Sequence, residues 1–503
     1  MKAIAWASCY LDPGDPVYDA LSALGDRLCA MGMKLVLFGV PGDYAKYSGF
    51  EHVSTPHTLV EQGRLFGDFF AGEGLPVGAA TVRELRALDR LFDPNTPDSE
   101  AELLILRTVA FWERAFDLMQ PSIILGWGTT VPLARLMIRL GQRRQIPAYV
   151  MERGLLENTL TVSLSGQIAL SSVTTTPSLI RPQPLDAQRL ALWNQIENYY
   201  RNLVYQRYPA SNQPPNPDIE NFLQSDPKPR ILFLASGYSL SDPDLGDRVD
   251  LWVTTSSEAA HRTADALKIV APGCSFWSKS HPTIPFSLSP DDTGTVTIRN
   301  MPNVNVRRLV EATDIIVTMT SMTQALGLIY DRPFLSLGNG FFMGRDIGYE
   351  VISQDQLEPM LAAALARNGW NERLVRGREL LTSMAEFDLF GLTDEVPTKL
   401  KIDDLALLVG RFARYVKADM APANVRYATF VTFKLEAEAN RGAEGNRMKV
   451  LQEESDILRA QVSILQAEKN ALIMELRNAI LKQGRLVFDP AELCGGSHDS
   501  SST

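Results

Sequence analysis

Ser122-Ile-Ile-Leu125, then Gly126-Trp127-Gly128, a helical text from Val131 to Gly141, and Ala148-Tyr-Val-Met151 form the stretch that decides the fold. An apolar run stopped by glycines, an amphipathic segment and a second apolar run spell strand, helix, strand. That order implies a parallel sheet wound by helices. The pattern extends backwards. Lys2 to Ala7 reads as a strand, Pro16 to Met31 as a helix through Tyr18, Leu21, Leu24 and Leu28, and Lys34 to Val40 as a strand apolar on both faces. Glu100 to Met119 is a long helix.

The same grammar restarts after a Pro- and Asn-rich linker at 208–229. Arg230 to Ala235 is a strand, Ser257 to Val270 a helix, and Ser275 to Ser278 a strand. Asp314 to Thr318 is a strand, followed by a helix to Tyr330 and a strand at Phe334 to Leu337. The expected architecture is therefore α/β: two doubly wound, Rossmann-like parallel sheets facing a cleft. Residues 1–207 form the first unit and 230–400 the second. A helical connector spans 401–447 and a coiled coil 448–483, and 484–503 is a Ser- and Gly-rich tail. In the coiled coil, Leu451, Leu458, Leu465, Leu472 and Ala479 recur at seven-residue spacing. A single amphipathic helix docked on the body would read similarly.

The 503 residues carry 49 Lys+Arg against 59 Asp+Glu, a net charge of −10. That sign excludes broad binding to nucleic acid, which needs excess cations against phosphate. Four scattered cysteines and five histidines outside any metal-binding spacing give neither a disulfide scaffold nor a zinc site. No apolar run is long enough to span a bilayer. A reduced cytoplasmic protein is expected, with at most peripheral contact with the inner membrane face.

In wound parallel sheets, ligands bind beyond the carboxyl ends of the strands, so the loops there hold the candidates. Lys279-Ser280-His281-Pro282 offers a charge and a ring donor to a phosphate, or is a plain turn. Thr318 to Gln324 opens a helix, which Ser321 or Thr323 would cap beside backbone N–H groups that suit an anion. Glu152, near the end of the strand at Tyr149, is either a general acid/base or the partner of Arg153 or a nearby cation. Asp242 and Asp244 lie in the loop after the strand at Ile231. They read as a metal-binding pair, as a nucleophile or base, or as an Asx turn with solvated acids.

Taken in order, these pieces resemble the capsule polysaccharide biosynthesis family, in particular its retaining β-Kdo glycosyltransferases. The matching text is Glu152-Arg153-Gly154, the Asp-bearing loop after Ile231, Lys279 to Pro282, and Ser321 to Gly327, followed by Arg332-Pro333-Phe334 and Gly338 to Phe342. The chain departs from the family at Thr323-Gln324-Ala325, where a Gly-x-Glu-Ala is usual. The resemblance implies a two-domain GT-B transferase. Its first unit would take a glycan or glycolipid acceptor, and its second a CMP-linked Kdo or related 3-deoxy-ulosonate. No divalent metal or cofactor would be needed for donor binding. It further implies Asp244, or else Asp242, as a nucleophile giving net retention through a covalent adduct. Glu152 would be the acid/base, and Lys279, His281, Ser321 and Thr323 would hold the phosphate. Partners would be a second copy, through the coiled coil, or other polysaccharide assembly proteins. Two other readings share these residues: a CDP-polyol phosphotransferase of teichoic-acid type, and a degenerate transferase kept as a coiled-coil scaffold. The former needs a second histidine, and only His52 and His57, in loop-like text, are available before the linker.

Overall fold

The central strand of the first sheet, β1 (Ala3–Cys9), is buried from Ala5 to Cys9, as its unbroken apolar run requires. The computed structural model describes residues 3–11, 14–66, 79–128, 130–163, 171, 174, 180–202, 223, 225–235, 252–253, 255–281, 286–301, 304–319, 323–338 and 340–415. The calls at Asp242, Asp244, Ser321, the coiled coil 448–483 and the tail 484–503 lie outside the described residues, as does most of the linker 208–229.

On one side of β1 stand β2 (Met33–Gly39) and β3 (Phe50–Ser54); on the other, β4 (Ile123–Trp127), β5 (Ala148–Arg153) and β6 (Thr159–Ser163). The first five are parallel, and β6 runs antiparallel to β5. The helix Pro16–Ala30 starts at Asp15, whose carboxylate accepts from Val17 N at 3.0 Å, with Pro16 in the first turn. Its Val17, Leu21, Leu24 and Leu28 are buried at helical spacing. On one face of the sheet Trp6 meets Phe38, Trp112 and Phe116 edge-on, with centroids 5.2, 5.9 and 4.7 Å apart. Each such pair contributes about 0.5–1.5 kcal/mol beyond burial.

The second sheet is wholly parallel, in the order β12-β11-β10-β7-β8-β9. Its strands are β7 (Arg230–Leu234), β8 (Ser275–Lys279), β9 (Thr297–Asn300), β10 (Ile315–Thr318), β11 (Phe334–Ser336) and β12 (Tyr349–Glu350). Two mostly parallel sheets covered by helices are thus the architecture that the strand and helix text predicts. No described helix is long and apolar enough to cross a membrane.

The expected boundary at residue 400 does not divide the sheets. After the helix Trp370–Phe387 the chain adds β13 (Phe390–Gly391) and β14 (Leu400–Lys401) to the first sheet, beyond β6. The helix Ile402–Tyr415 follows, and its Asp403 pairs with Arg27 at 2.8 Å. Residues 390–415 therefore complete the first sheet rather than close the second. Two-residue strands carry no periodicity, so this return has no signature in the text.

Three further differences matter for the site. β4 runs through Gly126 and Trp127 instead of stopping before them, because flat glycine backbone still pairs in a parallel ladder. β5 continues to Arg153, so Glu152 and Arg153 are strand residues. β3 places His52 in a strand, not a loop.

Candidate functional site at the carboxyl edges of the strands

Parallel register sets one row of the second sheet. Ser336 of β11 pairs with Thr318 of β10, Thr318 with Leu234 of β7, and Leu234 with Lys279 of β8. In-register residues of parallel strands share a face, so these four side chains project together at the carboxyl end. Ala235 N to Lys279 O (3.0 Å) and Leu337 N to Thr318 O (2.8 Å) extend the ladder past them. Leu234 leads directly into the loop that carries Asp242 and Asp244 in the sequence. His281 follows Lys279 by two residues and is half-buried.

Three of the four side chains in the row, Ser336, Thr318 and Lys279, are polar. Burial pushes the Lys279 ammonium down to about 8. Among the described residues the buried Thr318 hydroxyl has no hydrogen-bond partner. Gln324 is 1% exposed; its Nε2 donates to Ser336 Oγ at 3.0 Å, while its buried Oε1 has no partner among the described residues. Ser336 Oγ in turn lies 2.7 Å from Gly338 O and 3.1 Å from Met319 O. Gly340 backs the amide: a Cβ there would stand 2.6 Å from both Gln324 Nε2 and Oε1. One side chain thus ties the loop after β10 to the loop after β11. The opposite end of the sheet contrasts with this. There Asp226 is fully engaged, accepting from Arg299 Nε and Nη2 at 2.6 Å each and from Trp277 Nε1 at 2.8 Å.

Thr323 does not act as the helix cap that the sequence suggests. It already has helical backbone angles, and its side chain makes no capping bond to the helix Gln324–Ile329. A hydroxyl caps from an extended residue, and this one has been drawn into the turn.

In the first sheet, the alternation along β5 separates Glu152 from Arg153. Arg153 pairs with Asp15, across the sheet, with side chains 11% and 9% exposed. Its guanidinium lies 5.9 Å from the Trp127 ring centroid. The pairing of Glu152 with Arg153 is therefore replaced by Asp15 with Arg153. Beside this pair the buried Cys9 thiol is pushed up to about 12 by desolvation. Glu152 is half-buried and stands opposite Thr161 of β6, whose hydroxyl donates to Asp388 Oδ2 at 2.9 Å. Arg345, from the segment after β11, donates to Ile180 O at 2.8 Å and feels the Asp388 charge. Burial lowers the Arg345 pKa to about 10. Asp388 and Arg345 were not singled out in the sequence; Asp388 joins the site only because residues 390–391 return to the first sheet. Gln324 was noted only as a departure from a motif.

The chain is an α/β protein of two mostly parallel sheets, with Lys279, His281, Thr318 and Ser336 at the strand ends of one and Glu152 near a strand end of the other, the edges where ligands bind in such sheets. No protein-family model and no curated protein matches the chain. Solved structures do. The glycosyltransferase of kitacinnamycin aligns over 82% of this chain and 99% of its own, with 12% identity and a TM-score of 0.34. The calicheamicin glycosyltransferase CalG4 aligns over 82% of this chain and 98% of its own, at 14% identity and a TM-score of 0.35. The β-Kdo 2,4 transferase of Thermosulfurimonas dismutans KpsC aligns over 48% of this chain and 79% of its own, at 18% identity and a TM-score of 0.32.

Proposed function

We propose that this chain is a glycosyltransferase that moves a Kdo-like 3-deoxy-ulosonate from a CMP donor to a saccharide or lipid-linked acceptor. The observation that carries the reading is the row Ser336, Thr318, Leu234 and Lys279, a polar shelf with a cation at the carboxyl edge of a parallel sheet. A phosphate laid along it would meet Lys279 and His281 on one side and Thr323, at the start of the helix Gln324–Ile329, on the other, with Ser321 close by in sequence. The order of motifs read in the sequence supports the choice of sugar.

The chemistry proposed is a double displacement. Asp244, or Asp242 beside it, attacks the anomeric carbon as the carbon–oxygen bond to CMP breaks. The electron pair leaves on the phosphate, where Lys279 and His281 offset its charge. The acceptor oxygen then bonds to the anomeric carbon, the bond to the aspartate breaks, and the acceptor proton passes to Glu152. Two inversions give net retention. Assembly through residues 448–483, at the cytoplasmic face of a membrane, belongs to the same proposal.

The test is to incubate the chain with CMP-Kdo and no acceptor. Intact mass should rise by one sugar, mapped to the Ser239–Arg248 peptide, and Asp244→Asn should abolish it because an amide is a poor nucleophile. An adduct lost only in Asp242→Asn moves the role to Asp242. Turnover with retention and no adduct on either residue overturns double displacement. CDP-glycerol runs in parallel: its consumption in place of CMP-Kdo selects the polyol phosphotransferase. Consumption of neither selects the scaffold.

A further inference from the structure

We propose that Tyr10, His57 and Phe92 form a saccharide subsite at the carboxyl edge of the first sheet, built for a neutral sugar of the acceptor; this rests on the transferase reading above. Cys9, Gly39 and Ser54 end β1, β2 and β3 in one register row. Tyr10 follows the first strand and Thr55 the third, and their hydroxyls meet at 2.7 Å. The turn that follows is anchored at every residue but one. Thr55 N donates to Gly39 O at 2.8 Å, and Pro56 O accepts from Gln62 Nε2 at 2.9 Å. Thr58 Oγ1 accepts from Glu61 N and donates to Glu61 Oε2, both at 3.1 Å. The buried Asp89 carboxylate accepts from Leu59 N at 2.6 Å and Val60 N at 3.2 Å.

The residue left over is His57. Its ring stands edge-on between Tyr10 and Phe92, with centroids 5.1 and 4.0 Å away. All three residues are partly buried. Among the described residues the His57 imidazole makes no hydrogen bond, and its nitrogens are not buried. His52 shows the alternative fate. It stacks on Tyr44 at 3.8 Å, and its Nε2 is buried in the protein.

A ring held between two aromatic neighbours, its nitrogens without a hydrogen bond among the described residues, is pre-organised for a ligand. Burial holds the His57 pKa below the ordinary histidine range, with Glu61 opposing, so the imidazole is neutral at pH 7. A neutral imidazole has one donor and one acceptor nitrogen, matching sugar hydroxyls, which both donate and accept. Aromatic faces suit the C–H face of a pyranose. Glu61, the charge acting on the ring, disfavours an anionic sugar, which points to a neutral one.

The test uses the full chain and the imidazole C–H resonances, five histidines being few enough to assign by substitution. The probes are methyl glycosides of glucose, galactose, mannose and N-acetylglucosamine, raised to roughly 50 mM, the weak end of the affinity scale. At least one should shift the His57 signals saturably. His57→Leu and Phe92→Leu should weaken that glycoside tenfold or more, and His57→Gln, which keeps a donor and an acceptor, should stay within about threefold. Calorimetry with CMP on the same proteins separates the two readings. Glycoside binding without CMP binding leaves the subsite and removes the transferase. CMP binding with no glycoside moving His57, or with His57→Leu binding it as wild type does, overturns the subsite.

Discussion

Where β5 ends, Arg153 finds Asp15, and where β8 ends, Lys279 sits half-buried in a row with an unpartnered hydroxyl. Both are cations at the carboxyl edge of a parallel sheet. The first is spent on structure: it joins β5 to the start of the helix Pro16–Ala30 and shelters beside Trp127. The second carries its burial as a lowered pKa. Among the described residues Thr318 Oγ1 and Gln324 Oε1 are buried without a hydrogen-bond partner, and a bound ligand would satisfy such groups.

The contrast can be broken from the structural side first. Arg153→Met leaves Asp15 buried and charged, so we expect a loss of about 3–5 kcal/mol in chemical denaturation. Adding Asp15→Leu should recover much of it. If Arg153→Met costs nothing, the pair is not structural and the two edges are alike. From the ligand side, His281→Ala should weaken cytidine nucleotide binding by about 1.5–3 kcal/mol in calorimetry, the range for a charged hydrogen bond, with the melting temperature nearly unchanged.

A smaller effect is set by pH. Lys279 is protonated below about 8 and neutral above it, so CMP affinity should hold up to that point. Above it, affinity should fall by up to ~1.4 kcal/mol per unit as the cation is lost. Lys279→Arg should remove the bend, since guanidinium stays charged; a bend that persists in Lys279→Arg assigns it to another group. The smallest change is Gln324→Leu. It removes one buried hydrogen bond but also a desolvated oxygen, so stability should move by only about 1 kcal/mol. CMP should nevertheless bind more weakly, because Ser336, which stands between the loops after β10 and β11, loses the donor that orients its hydroxyl. Equal CMP affinity would mean the two loops are fixed by their backbones alone.

The alternation of apolar runs with helical spacing made both sheets legible, since a strand covered on both faces must be apolar throughout. Lys279 and His281 were legible as well, because a strand end is visible where an apolar run meets a polar turn. Two kinds of fact were not. The partner of Arg153 lies 138 positions away, and no local pattern distinguishes it from the adjacent Glu152. Asp388 comes beside Thr161 only through pairing of Phe390 with Leu160, a contact made by two-residue strands. Gln324 reads as a helix residue until Gly340 is known to lie against its amide.

The return of residues 390–415 to the first sheet has a consequence for biosynthesis. Arg27 emerges from the ribosome 376 residues before its partner Asp403. β6 ends at Ser163 and β13 begins at Phe390, 227 residues later, so at the usual ~5–20 residues per second roughly 11–45 s pass with the outer edge of β6 uncovered. For that interval the nascent chain carries an open strand edge, the feature that invites pairing with a neighbouring polypeptide. A ribosome-associated holdase is the kind of helper such a chain calls for, and a stop codon placed after the second sheet, near residue 388, would make the exposure permanent.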